Sequence, residues 1–371
     1  MDNIGHFISH EYGIIKHILE YLPAKSLLAA KQVCRAWAEV TNVILAEKNK
    51  IIWIYTSDIF LCPPNQQNTL QTIPKAIISN CNDGGRNVNP FWPHADCRNL
   101  KFCPCRNGEN NTYHVMVRGH ENALFQWNIL NEGYDFLSHS CITLMLPAFP
   151  GVEIINIVYS RQNKIFNTKV TDDTINELLG TEPIKCLLLF THRIHNSWVS
   201  SFIKKIIDRQ GETFVIGGGE FVEGKFIQKK EENNCNTSKL KFYIMALRGE
   251  NITVHSQLLT SQNESGINAF MKKMWEEVGC KPEDSQRFAF IVTCVNRFID
   301  NKSKYEWKKF KEYFPDIQYF GFYGNGEHYL EITSCEKNLK KKKPLRIAYG
   351  DSTSFLFITI KGAKPSQIIR I

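Results

Sequence analysis

Cys294, Arg297, Glu327 and His328 are the side chains whose types and spacing suit chemistry. A cysteine becomes a nucleophile when its pKa is depressed and a base stands near it. Arg297, close behind Cys294, is able to lower a thiol pKa or to bind an anion; the alternative is a structural ion pair. His328 follows a glycine-rich turn and reads as an exposed loop histidine, the alternative being a base beside Cys294. Glu327 and Asn325 offer polar contacts at a strand end, where clefts of α/β folds open. Gly321, Gly324 and Gly326 read as shaping the turn. A pocket for a small ligand or a protein substrate is therefore placed at Cys294, Arg297, Gly321, Gly324, Asn325, Gly326 and Glu327. No residue is assigned a catalytic role, and no cofactor is expected.

Two further clusters invite chemistry. Cys81, His94, Cys97, Cys103 and Cys105 fall in a Cys-, Asn-, Gly- and Pro-rich stretch, residues 81–111, which reads as a long surface loop. Four thiolates and an imidazole suit tetrahedral zinc, but the intervals Cys97-x₅-Cys103 and Cys103-x-Cys105 are not those of zinc knuckles. Free thiols and no metal are expected there. Gly217-Gly218-Gly219 follows a strand, yet it is neither GxGxxG opening a helix nor GxxxxGK[ST]. A tight turn or a close backbone approach is expected of it, not nucleotide binding.

The chain has 371 residues, 43% hydrophobic and 22% charged. These values exclude wholesale disorder and fibrous repeats, and the length suits two or three domains. The net charge is +8, and removing the five lysines of Lys337–Lys343 leaves +3. The folded parts thus have no basic bias. The lysine run lacks aromatic interleaving, so no nucleic-acid partner is expected. It reads as a solvated loop between strands, with a nuclear-targeting role as the alternative. The 12 cysteines are too dilute for a disulfide scaffold. Met1–His6 lacks the features of a signal peptide, and no apolar run approaches the roughly 18 residues of a membrane span. A soluble protein with reduced thiols is expected, in the cytoplasm and with the nucleus as a second compartment.

The elements follow from periodicity. Ile15, Ile18, Leu19 and Leu22 share a helix face, and Pro23 stops that helix. Ser26 suits the N-cap of a second, in which Leu27, Ala30, Val33, Cys34 and Trp37 fall on one side. A helical unit this small is marginal alone; it docks a partner or caps the next domain. Ile73–Asn80 and Val152–Tyr159 read as strands. Cys186–Phe190 is a continuous apolar run, as in a strand buried on both faces. The stripe Val199, Phe202, Ile203, Ile206 and Ile207, closed by Gly211, leads to a strand at Phe214–Ile216. Lys241–Leu247 and Thr253–Leu259 read as strands joined in a hairpin by Gly249-Glu250-Asn251. A helix at Ile267–Val278, a strand at Phe288–Val295, a helix through Trp307, Phe310 and Phe314, and strands at Tyr319–Tyr323 and Ser354–Ile360 complete the pattern. The architecture expected is α+β: a short helical module before a two-part α/β-type body with mixed sheets and β-α-β units.

The order of residue types adds to this. Ile18-Leu19-Glu20-Tyr21-Leu22-Pro23, then Ser26-Leu27-Leu28, then Val33-Cys34-Arg35 and Trp37 resembles the F-box motif. It departs at His10-Glu11-Tyr12-Gly13, where many F-boxes carry Leu-Pro. The resemblance implies three short helices that dock a Skp-type adaptor and, through it, the cullin and RING subunits of a ubiquitin ligase. Ile18, Leu19, Leu22, Pro23, Leu27, Leu28, Val33, Cys34 and Trp37 are the implied adaptor contacts, although some must instead hold the helices together. Phe290–Arg297 is similar to the Cys-x-Gly-Arg-Gly segment of FIST C-terminal domains, with Asn296 and Phe298 in place of the glycines. Phe320–Glu327 looks like their Gly-Phe-x-Gly-x-Gly-Glu turn, and residues 140–225 are more weakly like the FIST N-terminal domain. The implied division is an F-box over 8–50, a FIST N-terminal-like domain over 51–230 and a FIST C-terminal-like domain over 231–371. The implied function is that of a non-catalytic receptor that holds a target protein for ubiquitination and proteasomal degradation. The alternative is a module that senses a small ligand, an amino acid or an anion.

Overall fold

A computed structural model of the chain describes residues 11–22, 24–48, 50–56, 74–82, 113–119, 140–159, 169–192, 197–210, 214–231, 234–280, 282–299, 302–332 and 348–370. His94, Cys97, Cys103, Cys105, the Lys337–Lys343 run, Pro23 and Gly211 lie outside these residues.

Three helices open the fold: α1 (Tyr12–Leu19), α2 (Ala24–Ala30) and α3 (Arg35–Lys48). Ile15, Leu19, Leu27, Ala30, Val40 and Ile44 form their shared core, with Leu22, Ala36, Trp37 and Leu45 packed against it. An ion pair at 3.1 Å, Lys16 to Glu47, ties α1 to α3. Ser26 lies inside α2 and is not its N-cap. The single second helix read from the sequence is broken at 31–34. There Gln32 and Val33 donate to Ala29 and Ala30, the tightened i→i+3 bonds with which helices end. Val33 and Cys34 consequently sit in a turn and are exposed.

Seventeen strands among the described residues form three sheets. The first runs β17 (Lys364–Arg370), β1 (Lys50–Thr56), β4 (Ser140–Pro147), β2 (Pro74–Asn82), β3 (Tyr113–Arg118), β8 (Glu223–Glu231) and β9 (Asn234–Lys239). The second runs β15 (Ala348–Tyr349), β14 (Glu327–Ile332), β7 (Phe214–Glu220), β6 (Cys186–Thr191), β10 (Phe242–Arg248) and β5 (Glu153–Tyr159). The third runs β11 (Ile252–Leu259), β16 (Thr353–Lys361), β12 (Ser285–Cys294) and β13 (Gln318–Gly324). Two β-α-β units are present: β6 and β7 pair in parallel around α5 (Ser197–Arg209), and β12 and β13 around α7 (Val295–Ile299) and α8 (Lys302–Tyr313). Strands from both sides of residue 230 share sheets: β1 pairs with β17, β6 with β10 and β7 with β14.

The second sheet is covered on both faces, which explains its unbroken apolar runs. On one face Leu187, Leu189, Phe214 and Ile216 meet α5 and α4 (Asp172–Leu179) through Phe202, Ile203, Ile175 and Leu179. On the other face Phe190 lies 5.4 Å from Phe322 and 6.3 Å from Phe290, ring to ring, so this sheet packs on the third. The third sheet is backed by α8 and α6 (Glu264–Val278), with Ile267, Met271, Met274 and Phe310 buried.

In the α/β body, two further expectations change. Strands β10 and β11 are not a hairpin, because they belong to different sheets. Every residue of Phe242–Leu247 is buried between neighbours β5 and β6, so no edge is left for β11, which pairs with β16. Gly249 turns the corner at φ +126°, its backbone against Gly151. The glycine triplet is not a turn after a strand but lies within β7. A Cβ at Gly217 would stand 2.7 Å from that of Leu356, and one at Gly219 would stand 2.5 Å from Cγ1 of Val292. Close approach of the two sheets is what these glycines permit.

Candidate functional site

The C-terminal end of β12 delivers Cys294, and α7 begins at the next residue, so Arg297 lies on its first turn. Arg297 is wholly enclosed. Its Nε donates to Glu306 Oε1 at 2.6 Å, Nη1 to the Asp351 carbonyl at 2.9 Å and Nη2 to the Ser261 carbonyl at 2.6 Å, while Nη2 also pairs with Glu306. The second Glu306 oxygen accepts from the Thr353 hydroxyl at 2.8 Å. Burial pushes the Glu306 carboxyl up, and the guanidinium and that hydroxyl pull against it. Arg297 is thus committed to a structural ion pair and does not face a pocket as an anion ligand.

Glu327 opens β14 and is also enclosed. The Ser352 hydroxyl donates to its Oε2, while Oε1 has no partner. Burial pushes this carboxyl up to about 8, against the pull of the Ser352 bonds and the Arg297 charge. His328 is not the exposed loop histidine expected. It lies on β14, fully buried, its Nε2 3.0 Å from Oγ1 of Thr191 and its Nδ1 unpartnered. Burial lowers it to about 3, so the ring is neutral. Cys294 is buried, its backbone N–H donates to Ser352 at 2.9 Å, and its thiol is pushed up by burial and then by the Glu327 charge. A thiol pushed up by burial and by a neighbouring carboxyl lacks the setting of an activated nucleophile, and the His328 ring is bonded to Thr191 instead.

The glycines behave as shapers. Gly324 sits where a Cβ would meet the Glu220 carbonyl at 2.5 Å, and the Gly326 carbonyl accepts from the Glu220 N–H at 2.9 Å. The Gly321 carbonyl accepts from Asn80 Nδ2 at 2.7 Å. Asn325 is exposed and its N–H donates to Glu220. The structure therefore gathers Cys294, Glu327 and Arg297 around Asp351 and Ser352, and leaves Asn325 on the surface. Glu306, Asp351, Ser352 and Thr353 were missed by sequence reasoning. The Gly350-Asp351 pair was a turn signal, and Asp351 adopts a positive φ of 59°. Among the described residues no three His, Cys, Asp or Glu side chains are placed to hold a metal.

The second candidate is the helical module. Helix α1 carries two apolar stripes side by side. Ile15 and Leu19 point into the core, while Ile14, Ile18 and, just past the helix, Tyr21 repeat at i, i+4 and i+7 on the outside. Ile18 is 45% exposed, Tyr21 72% and, in the turn before α3, Val33 63%. Of the implied contacts, Leu19 and Leu27 are core, Ile18, Val33 and Cys34 are exposed, and Leu22, Leu28 and Trp37 are half-buried. The Trp37 indole N–H is enclosed without a partner. The face read from Ile15, Ile18, Leu19 and Leu22 merged the two stripes.

Residues 14–45 match the F-box-like family model. F-box only protein 22 of Pongo abelii is 20% identical over 344 residues, covering 86% of this chain and 84% of that protein. F-box only protein 22 of Homo sapiens is 19% identical over 348 residues with the same coverage. Among solved structures, a cyanuric acid hydrolase from A. caulinodans aligns with a TM-score of 0.39 at 7% identity, over 84% of this chain and 99% of that one; nothing is argued from a likeness that slight. The chain thus carries an F-box-like domain at its N-terminus, ahead of a mixed-sheet α/β body, and is a distant homologue of F-box only protein 22 over most of its length.

Proposed function

We propose that this protein is the substrate-recognition subunit of a Skp–cullin–F-box ubiquitin ligase. The observation that carries the reading is the outward stripe of Ile14, Ile18 and Tyr21, together with Val33, within or beside the residues that match the F-box-like model. A small helical module whose core is already filled has no internal use for a second apolar stripe. A partner that seats helix in groove would bury it, at roughly 1.5–3 kcal/mol for each large aliphatic side chain. The adaptor is that partner, and cullin and RING subunits follow from it. The α/β body, read as FIST-like from the segments on β12 and β13, holds the target protein. Its contribution is proximity: it raises the local concentration of target lysines near a charged conjugating enzyme. The chain itself performs no covalent step, in keeping with an Arg297 committed to Glu306 and a Cys294 thiol pushed up.

Reconstitution tests this. Purified chain mixed with a Skp-type adaptor, a cullin and a RING subunit should enter one complex and support ubiquitin transfer to a protein trapped on the body. Failure to enter the complex would refute the reading. A second reading, a small-ligand sensor, is favoured by one observation: Glu327 Oε1 and Asp351 Oδ1 are enclosed without partners. When ionised, those carboxyls suit an amine and not an anion, and the amine's charge would itself draw Glu327 into its ionised form. A thermal-shift panel of amines and amino acids tests it; no stabilisation at millimolar ligand removes it.

A further inference from the structure

Ser79 of β2 and Thr143 of β4 stand directly opposite in the antiparallel register of those strands, and their hydroxyl oxygens lie 2.7 Å apart. Strand residues return to the same face at every second position. Two residues on, with the register unshifted, Cys81 of β2 stands opposite Cys141 of β4. The two cysteines therefore occupy, on one face, the next opposed position after a pair whose side chains already meet. Directly opposed residues of an antiparallel pair have Cα atoms about 4.5–5.5 Å apart, inside the range of about 4.4–6.8 Å that a disulfide spans. We propose that Cys81 and Cys141 are an oxidation site, closing reversibly into a disulfide across β2 and β4.

The placement gives the bond a structural meaning. Cys81 is the penultimate residue of β2 and Cys141 the second of β4. The link would fasten two strands in the middle of the seven-stranded sheet and enclose β3 in the loop it closes. Hydrogen peroxide is a sufficient oxidant. One thiolate attacks the O–O bond, taking one oxygen as a sulfenic acid and releasing the other as water. The second thiolate then attacks that sulfur, the S–S bond forms, and the hydroxyl leaves with a proton as a second water. Two thiols and one peroxide give one disulfide and two waters. A small thiol reductant reverses the bond by exchange, as in the transient, redox-sensing disulfides of reducing compartments.

The test uses the full reduced chain under native conditions. It is titrated with hydrogen peroxide, alkylated, and digested without reductant for mass spectrometry. A peptide joining Cys81 to Cys141 should be the first intramolecular link to appear, and dithiothreitol added before alkylation should abolish it. Full alkylation of both residues at a dose that oxidises the exposed Cys34 and Cys280 would overturn the proposal. So would a link from Cys81 to Cys97, Cys103 or Cys105, or zinc retained through desalting that protects both thiols. The wild-type chain carries the whole test, so the folding of a cysteine variant does not enter.

Discussion

Replacing Glu327 by glutamine should reshape the pH dependence of stability. The carboxyl is enclosed where β14 meets the start of β16, and burial holds it protonated up to about 8, against an ordinary value of 4.5. The unfolded chain releases that proton near 4.5, whereas the folded protein keeps it until about 8. The folded state thus binds more protons in between, and stability falls as pH rises. The contribution is fully present below 4.5 and is lost by about 8. At about 1.4 kcal/mol per pH unit, the window amounts to about 5 kcal/mol, comparable with the whole net stability of many domains. Glu327→Gln keeps the shape and cannot ionise. The variant should match the wild type within about 1 kcal/mol at pH 5 and exceed it by about 3–5 kcal/mol at pH 8.5. Urea denaturation across this range, with unchanged m-values, measures the difference, in which every other titrating group cancels. Wild-type and variant curves that run parallel from pH 5 to pH 9 would refute the reasoning.

Other consequences follow from the same strand ends and sheets. His328, buried and lowered to about 3 from 6.5, contributes stability that is present above 6.5 and lost as pH falls toward 3; His328→Gln should flatten that acid limb in the same titration. Arg297→Met leaves Glu306 enclosed without its cation and should cost about 3–5 kcal/mol, while the double change Arg297→Met with Glu306→Leu should recover at least half, read by chemical denaturation. Gly218→Ala forces a side chain onto φ +123° with Cβ 2.1 Å from the Leu189 carbonyl oxygen and should cost about 2–4 kcal/mol. Gly350→Ala, which has nothing within 4 Å, should stay within about 0.5 kcal/mol.

What was legible in the sequence is what local chemistry specifies. The buried runs of β6 and β12, the stripes of α5, α6 and α8 and the strand beginning at Phe214 all carry their own periodicity. The N-terminal helices were visible for the same reason, although the order of residue types, and not their period, pointed to an adaptor. Non-local facts were hidden. The separation of β10 from β11 depends on β5 and β6 occupying both edges of β10, and Gly249 looks the same in a hairpin as at a corner. The burial of His328 depends on β14 joining β7 and on the third sheet packing behind it. Strands β8 and β9 read as polar, and what makes them strands is pairing with β3 and with each other. Arg297 could be assigned to an ion pair or to a pocket only once Glu306 and the Asp351 carbonyl were in place around it. In α1, two adjacent stripes blur into one broad apolar face unless burial separates Ile15 and Leu19 from Ile14 and Ile18.

That separation makes the most direct test of the central claim available. The chain is co-expressed with a Skp-type adaptor and run on a size-exclusion column, beside a double variant, Ile18→Glu with Val33→Glu, confined to exposed positions. The account predicts a stable one-to-one complex for the wild type, lost in the variant while its circular dichroism and melting temperature are retained. A wild-type chain that elutes alone, or a variant that still co-elutes with the adaptor, would contradict it.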